Sequence, residues 1–264
     1  MPEACRIEII SPRREVSFPA EWYGLSDPGH FWFEWRLAAA LAQMRGVGLS
    51  TAAPRRTLEV GAGTGVLRDQ LEAHTSWVVD IADLSFEALA RAAAGRGRHL
   101  YYDVAEQRPA FLDVYDVVVL FDVLEHIANT RAFVSAVVRH LRPGGYLLVN
   151  VPALPCLFGD YDRVAGHLRR YEPRTLRSEF GAIDVEILDV RFWGLSLVPL
   201  LLARRLFVRR ARGSPIRAGF RPPGAVAHRL LKALRRCETP ILQRPPVGTS
   251  LLLCARRLPR RERA

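Results

Sequence analysis

Leu58-Glu-Val-Gly-Ala-Gly-Thr-Gly65 is the stretch on which the reading of this chain turns. An acidic residue at a strand end, Glu59, runs into a turn with glycine at every second position, 61, 63 and 65. Glycine has no Cβ and tolerates positive φ, so a ligand can lie against bare backbone there. A dinucleotide fold asks for G-x-G-x-x-G, with the pyrophosphate on the following helix N-terminus. Position 66 is Val, so that fingerprint fails.

Downstream, the pattern alternates between helix and strand. Val66 to Ala73 predicts a helix, and Ser76 to Ala82 an apolar strand closed by Asp83. Ser85 is placed to cap the next helix. An acid at the end of the second strand, about 20 residues past the glycines, is where an α/β nucleotide site holds ribose hydroxyls. A carboxylate suits that task because it can accept both hydrogen bonds of a vicinal diol. Asp83 is preferred to Asp80, which lies inside the apolar run and has solvent as its alternative. Leu100 to Val104 reads as the third strand. Tyr115 to Phe121 is almost wholly apolar, as expected of a central parallel strand buried on both faces. It delivers Asp122-Val-Leu-Glu-His126 to the carboxyl end of the sheet, where ligands of such folds bind. A helix over Thr130 to Leu141, the turn Arg142-Pro-Gly-Gly145 and a fifth strand over Tyr146 to Val151 follow.

Glu59 with G-x-G-x-G, Asp83-Leu-Ser-Phe-Glu-Ala-Leu, Asp122 to His126 and Arg142 to Gly145, in that order, resemble the class I S-adenosylmethionine-dependent methyltransferases. The resemblance implies a Rossmann-like α/β fold: seven mostly parallel strands with helices on both faces. It also implies S-adenosylmethionine as donor and S-adenosylhomocysteine as product. Glu59, Gly61, Ala62, Gly63, Gly65, Asp83, Leu84, Asp103, Val104, Phe121 and Asp122 are then the expected cofactor contacts, with Asp103 at the adenine amino group.

A single domain is expected over residues 1–264, with an N-terminal aromatic helical lid (1–50), a donor-binding core (51–194), a basic helical insert (195–247) and a last strand with a basic tail (248–264). Ile183 to Phe192 alternates as a sixth strand, and Gly248 to Arg256 reads as a seventh, antiparallel one. The insert between them carries an apolar stretch over Leu195 to Val208 and a helix over Ala225 to Arg236. The first is too short and too charged to span a bilayer. An interfacial contact with anionic lipid and packing against the core or a second subunit are the readings of the second.

Charge is unevenly placed. The chain carries a net +11, with 17 basic and 2 acidic residues from Leu201 to Ala264 against 21 and 25 in the first 200. A basic surface suits an anionic partner, whether phosphorylated substrate, carrier, nucleic acid or membrane; the near-absence of lysine points instead to a compositional bias. The four cysteines show no metal or C-x-x-C spacing, which suits a reducing compartment and buried small apolar side chains. No signal peptide is read over Met1 to Glu15, so a cytoplasmic protein is expected.

Two clusters offer bases for an acceptor that must lose a proton. One is Glu125-His126. The other is Gly159-Asp-Tyr-Asp-Arg-Val-Ala-Gly-His167-Leu-Arg-Arg-Tyr171, which resembles the G-H-x-R-R-Y segment of a small-molecule branch of the family. His167 and His126 are the catalytic candidates, His126 having a structural role as its alternative. Tyr161, Arg170 and Tyr171 are expected at the acceptor, with Trp32 and Phe33 from an aromatic run that also holds Trp22 and Tyr23. Ubiquinone-pathway O-methyltransferases bind a divalent cation with two acids and a histidine at the spacing of Asp122, Glu125 and His126. The first acid here is Asp, and no metal is expected.

The expected reaction is methyl transfer to oxygen or nitrogen of a small molecule in secondary or glycan metabolism, an anionic or carrier-linked one included. A nucleic-acid methyltransferase is the first rival. Against it, the chain lacks the Asp/Asn-Pro-Pro-aromatic tetrapeptide of exocyclic-amine enzymes, and Pro155-Cys156 reads as a structural pair with a buried cysteine. A donor-binding enzyme of non-methylation chemistry is the second rival.

Overall fold

The computed structural model describes residues 6–14, 27–208 and 224–259. Its strands are β1 (Ile7–Ile9), β2 (Arg56–Val60), β3 (Val78–Asp83), β4 (His99–Tyr101), β5 (Tyr115–Phe121), β6 (Leu141–Pro152), β7 (Val185–Trp193) and β8 (Ser250–Arg257). The helices are α1 (Phe31–Gly46), α2 (Val66–His74), α3 (Phe86–Arg91), α4 (Thr130–Val138), α5 (Asp160–Val164), α6 (Pro173–Ser178), α7 (Val198–Val208) and α8 (Ala225–Ile241). One sheet runs β1-β4-β3-β2-β5-β6-β8-β7, with β8 antiparallel to both its neighbours and every other pair parallel.

Strand periodicity divides the sheet into two cores. Leu58, Val118, Leu120, Leu147, Val149 and Leu251 face a cluster completed by Val134 and Val137 of α4 and Leu176 of α6. Their neighbours Val117, Val119, Leu148, Leu252 and Cys254 face a second cluster with Trp35 and Met44 of α1, Leu67 and Leu71 of α2, and Leu89 of α3. The central strand has apolar side chains on both sides because helices cover both faces. Each such fully buried Val or Leu is worth roughly 1.5–3 kcal/mol.

The sheet has eight strands where seven were expected. Ile7–Ile9 adds a parallel edge to β4, with Ile7 opposite His99 and Ile9 opposite Tyr101. Three residues between charged neighbours are too short a run for a strand period to register. The expected turn at Arg142–Gly145 is a bulge inside β6: Leu141 pairs with Tyr115 and Tyr146 with Val117. Ser85 caps α3 by accepting from Ala88 N at 3.2 Å. Helix α8 runs five residues past its expected end, through Pro240. Cys156, Cys237 and Cys254 form no disulfide; Cys254 is buried, but Cys156 and Cys237 are exposed, against expectation. Among the described residues no helix is long and apolar enough to cross a membrane. Trp22, Tyr23 and the last five residues lie outside the described residues.

Candidate functional site

Between β2 and α2, the glycine turn lies at the carboxyl edge of the sheet. Gly61, Gly63 and Gly65 have φ of 70°, 55° and 76°. A Cβ on Gly61 would stand 2.6 Å from Val123 Cγ2, whereas one on Gly63 would meet nothing within 4 Å. Space for a ligand therefore opens over Gly63, with Ala62 buried beneath. Asp83 holds this turn: Gly63 N donates to Oδ2 and Ser85 N to Oδ1, each at 2.7 Å. Burial raises the Asp83 carboxyl above the usual range, and those backbone donors oppose the shift. Each oxygen keeps a further lone pair for a hydroxyl.

Asp80 does not face solvent. It accepts from Arg98 Nη2 at 2.7 Å and Tyr115 Oη at 3.0 Å, buried within the sheet. Leu84 is half-buried beyond the end of β3. Asp103 caps a short turn by accepting from Ala105 N at 3.0 Å and pairs with Arg14 at 2.9 Å; Val104 is buried. Glu59, one residue before Val60 at the end of β2, is also buried, and burial lifts its carboxyl to about 8 against the pull of Arg36 and Arg68.

Arg36, which sequence reasoning passed over, is buried in α1 and forms an ion pair with Asp122. Its guanidinium also lies over the rings of Trp32 at 5.0 Å, Phe33 at 5.1 Å and Phe121 at 5.3 Å. Asp122 has φ 59°, a conformation that Asp tolerates better than most residues. Its other oxygen accepts from Asn150 Nδ2 at 2.7 Å, and Asn150 Oδ1 accepts from the Trp193 indole at 2.8 Å. The signal for Arg36 was a lone cation inside Phe-Trp-Phe-Glu-Trp-Arg-Leu, and for Asn150 a lone amide inside Leu-Leu-Val-Asn-Val.

The two catalytic candidates meet. The rings of His126 and His167 are 4.8 Å apart, edge to face, although 41 positions separate them in the chain. His167 Nδ1 lies 3.0 Å from Asp162 Oδ1, and His126 Nδ1 lies 3.1 Å from the Gly166 carbonyl. Burial alone would raise Asp162, but the His167 hydrogen bond and the Arg170 guanidinium outweigh it and hold the carboxyl at about 2. An ionised carboxylate and a carbonyl only accept, so both histidines donate from Nδ1. Burial and the neighbouring His167 lower His126 to about 4.

Arg170 and Tyr171, expected at the acceptor, are buried. Arg170 is buried and donates to Asp162 at 2.8 Å and to the Ala153 carbonyl at 3.1 Å. Tyr171 is buried with its hydroxyl on the Leu124 carbonyl at 3.1 Å. Tyr161 stays on the histidine side, its ring 6.5 Å from His167. Trp32 packs on Trp193 at 5.8 Å, and Phe33 lies against Val66 at the start of α2.

One ligand atom each from Glu125, His126 and His167 fall within 4.8 Å of one another. Among the described residues no side chain hydrogen-bonds the buried Glu125 carboxyl, which burial and the nearby Asp122 raise well above the usual range. Among the described residues these three, rather than the Asp122-Glu125-His126 set, could hold a cation, because Asp122 is engaged by Arg36 and Asn150.

Residues 30–190 match a family model described as a methyltransferase domain. The chain belongs to the S-adenosylmethionine-dependent methyltransferases. It is 32% identical over 104 residues to a ubiquinone biosynthesis O-methyltransferase of Idiomarina loihiensis, covering 36% of this chain and 42% of that one. It is 35% identical over 144 residues to a demethylmenaquinone methyltransferase of Mycobacterium bovis, covering 54% and 58%. The chain thus spans only about half the length of these relatives. Among solved structures, the phosphoethanolamine N-methyltransferase 2 of Haemonchus contortus with S-adenosylmethionine superposes with a TM-score of 0.52 at 20% identity, over 83% of this chain and 52% of that one.

Proposed function

We propose that the donor lies over Gly61–Gly65, with its ribose on Asp83, and that a small-molecule oxygen or nitrogen is methylated beside His126 and His167. The carrying observation is the pair of imidazoles 4.8 Å apart, each with Nδ1 on an acceptor. Bound there, S-adenosylmethionine supplies a methyl already activated on sulfonium, so aligning the acceptor contributes most of the acceleration. As the acceptor's lone pair forms its bond to the methyl carbon, the carbon–sulfur bond breaks. The acceptor's proton passes to His167 Nε2. Asp162 fixes that imidazole's tautomer and stabilises its charged form. His126, neutral down to about pH 4, is a weaker base than an ordinary imidazole, and its part is to hold the acceptor rather than take its proton.

Helix α1 serves as the lid. Arg36 fastens it to Asp122, and Trp32 and Tyr161 supply aromatic walls for the acceptor. One relative is named a ubiquinone biosynthesis O-methyltransferase, which favours an aromatic hydroxyl among the acceptors to be tried first. Incubation with S-adenosylmethionine and phenolic, amine and phosphorylated acceptors tests this reading. A product heavier by one methyl, released with S-adenosylhomocysteine, supports it; a rearranged product of unchanged mass overturns it in favour of non-methylation chemistry.

A second reading rests on the juxtaposition of Glu125, His126 and His167. A divalent cation held there would polarise an acceptor hydroxyl and replace the base. Activity lost in EDTA and restored by a divalent cation selects it.

A further inference from the structure

Helix α8 sits on the protein the wrong way round for a globular helix. Its inner face is polar: Lys232 Nζ donates to Glu34 of α1 at 2.7 Å, Arg235 pairs with the same carboxylate at 3.5 Å, and Glu238 accepts from Leu195 N and Ser196 N at 2.9 and 2.8 Å. Leu231 alone of its large apolar residues turns in, against the second core cluster; the others point outward. Val226, Leu230, Leu234 and Ile241 are 72%, 61%, 45% and 75% exposed, although a surface helix normally turns such a stripe to the core. Their spacing, with the exposed Cys237, keeps them within an arc of about 80° on a helix of 3.6 residues per turn. Exposed Arg229 and Arg236 border one edge of that arc. Leu200 and Leu202 of α7 are also exposed.

We propose that this face docks the protein on the surface of an anionic lipid bilayer. An outward apolar stripe edged by arginine is the composition of a helix lying in the headgroup region, and the charge of the surrounding sequence is complementary to such a surface. From residue 201 onward there are 17 basic and 2 acidic residues, whereas the rest of the chain is slightly acidic. A two-fold contact between copies would bring the Arg229 and Arg236 edges of two stripes close together with no acid on either to offset them. Nucleic acid would use the arginines but leave the stripe in water. The contact is peripheral, since no described helix is long and apolar enough to span, and it holds whichever acceptor is methylated.

Cosedimentation of the full chain with vesicles tests it, comparing phosphatidylcholine alone with a mixture one-third phosphatidylglycerol. Binding to the anionic vesicles is expected to exceed that to neutral ones by about ten-fold or more and to fall with added salt. The double variant Leu230→Glu/Leu234→Glu should lose that binding by a similar factor while keeping the parent's thermal midpoint, because both side chains lie outside the core. Equal binding to both vesicle types, or binding unchanged in the double variant, overturns the proposal. So does a concentration-dependent dimer that the same variant dissolves without any vesicle binding in the parent, which would give the stripe to a second copy.

Discussion

Arg36, in the middle of α1, and Asp122, just beyond the end of β5, form an ion pair that fastens a helix to the carboxyl edge of the sheet. The link continues through Asn150 of β6 to the indole of Trp193 in β7. A chain of polar contacts thus crosses from helix to sheet at the level where the donor is proposed to bind. Arg36 also pulls down on Glu59 and Glu125, so one guanidinium offsets several carboxyl groups in a dry region.

Removing that guanidinium leaves Asp122 and its neighbours without their cation. Arg36→Ala is therefore expected to cost about 3 kcal/mol, the low end for breaking a buried pair, since Asp122 keeps some solvent contact. Arg36→Lys should recover little, because one ammonium cannot both pair with Asp122 and stack on three rings. Urea unfolding at unchanged m-value checks both; a loss below 1 kcal/mol for the alanine variant would show the pair to be incidental.

Asp83 and Asp80 are separable by experiment. Asp83→Ala should weaken S-adenosylmethionine binding by one to two orders of magnitude, on the order of 1.5–3 kcal/mol for charged hydrogen bonds. Asp80→Ala should leave affinity near the parent's but destabilise the fold, since Arg98 and Tyr115 lose their partner. Calorimetry with donor and product decides, and the reverse pattern would transfer the ribose to Asp80.

The contrast between those two acids shows what the sequence could tell. Glycines at 61, 63 and 65 and the apolar run at 115–121 mark the sheet and its ligand edge, because turns and buried strands have local signatures. The partners that complete the site are distant in the chain. Arg36 reaches Asp122 across 86 positions, and His126 meets His167 where Leu168 N bonds the Glu125 carbonyl at 2.7 Å. No local period encodes either meeting. Arg170 and Tyr171 were misplaced for a related reason. A polar motif next to a site looks the same whether it faces the ligand or braces the loop from below. The edge strand Ile7–Ile9 was missed because so short a run has no period, and the side of α8 that faces outward stayed open between lipid and packing because an amphipathic helix carries no sign of which side the protein lies on.

Stability should depend on pH in opposite senses at two carboxyls. Asp162, held at about 2 against an ordinary 3.8, contributes stability that is fully present above pH 4 and disappears as pH falls through 2, about 2 kcal/mol in all. Glu59, raised from 4.5 to about 8, deprotonates first in the unfolded chain, so it favours unfolding increasingly between those values. The stability of Glu59→Gln relative to the parent should then rise from pH 4.5 to 8. Denaturant titrations across that range check the slope, and a constant difference would mean that Glu59 is ionised throughout.

His167 distinguishes the base from the cation site. As the base, its loss in His167→Ala should lower turnover by roughly 10²–10⁴ while donor affinity holds. EDTA should leave the parent's rate unchanged, and Asp162→Asn should fall between, because the amide cannot stabilise a charged imidazole but can hold the ring. If Glu125, His126 and His167 instead bind a divalent cation, EDTA abolishes turnover in the parent, and calorimetry detects metal binding that His167→Ala and His126→Ala both lose. Measuring the three rates with and without EDTA on one acceptor separates the schemes, since the base predicts a graded loss independent of chelator and the cation a chelator-dependent one.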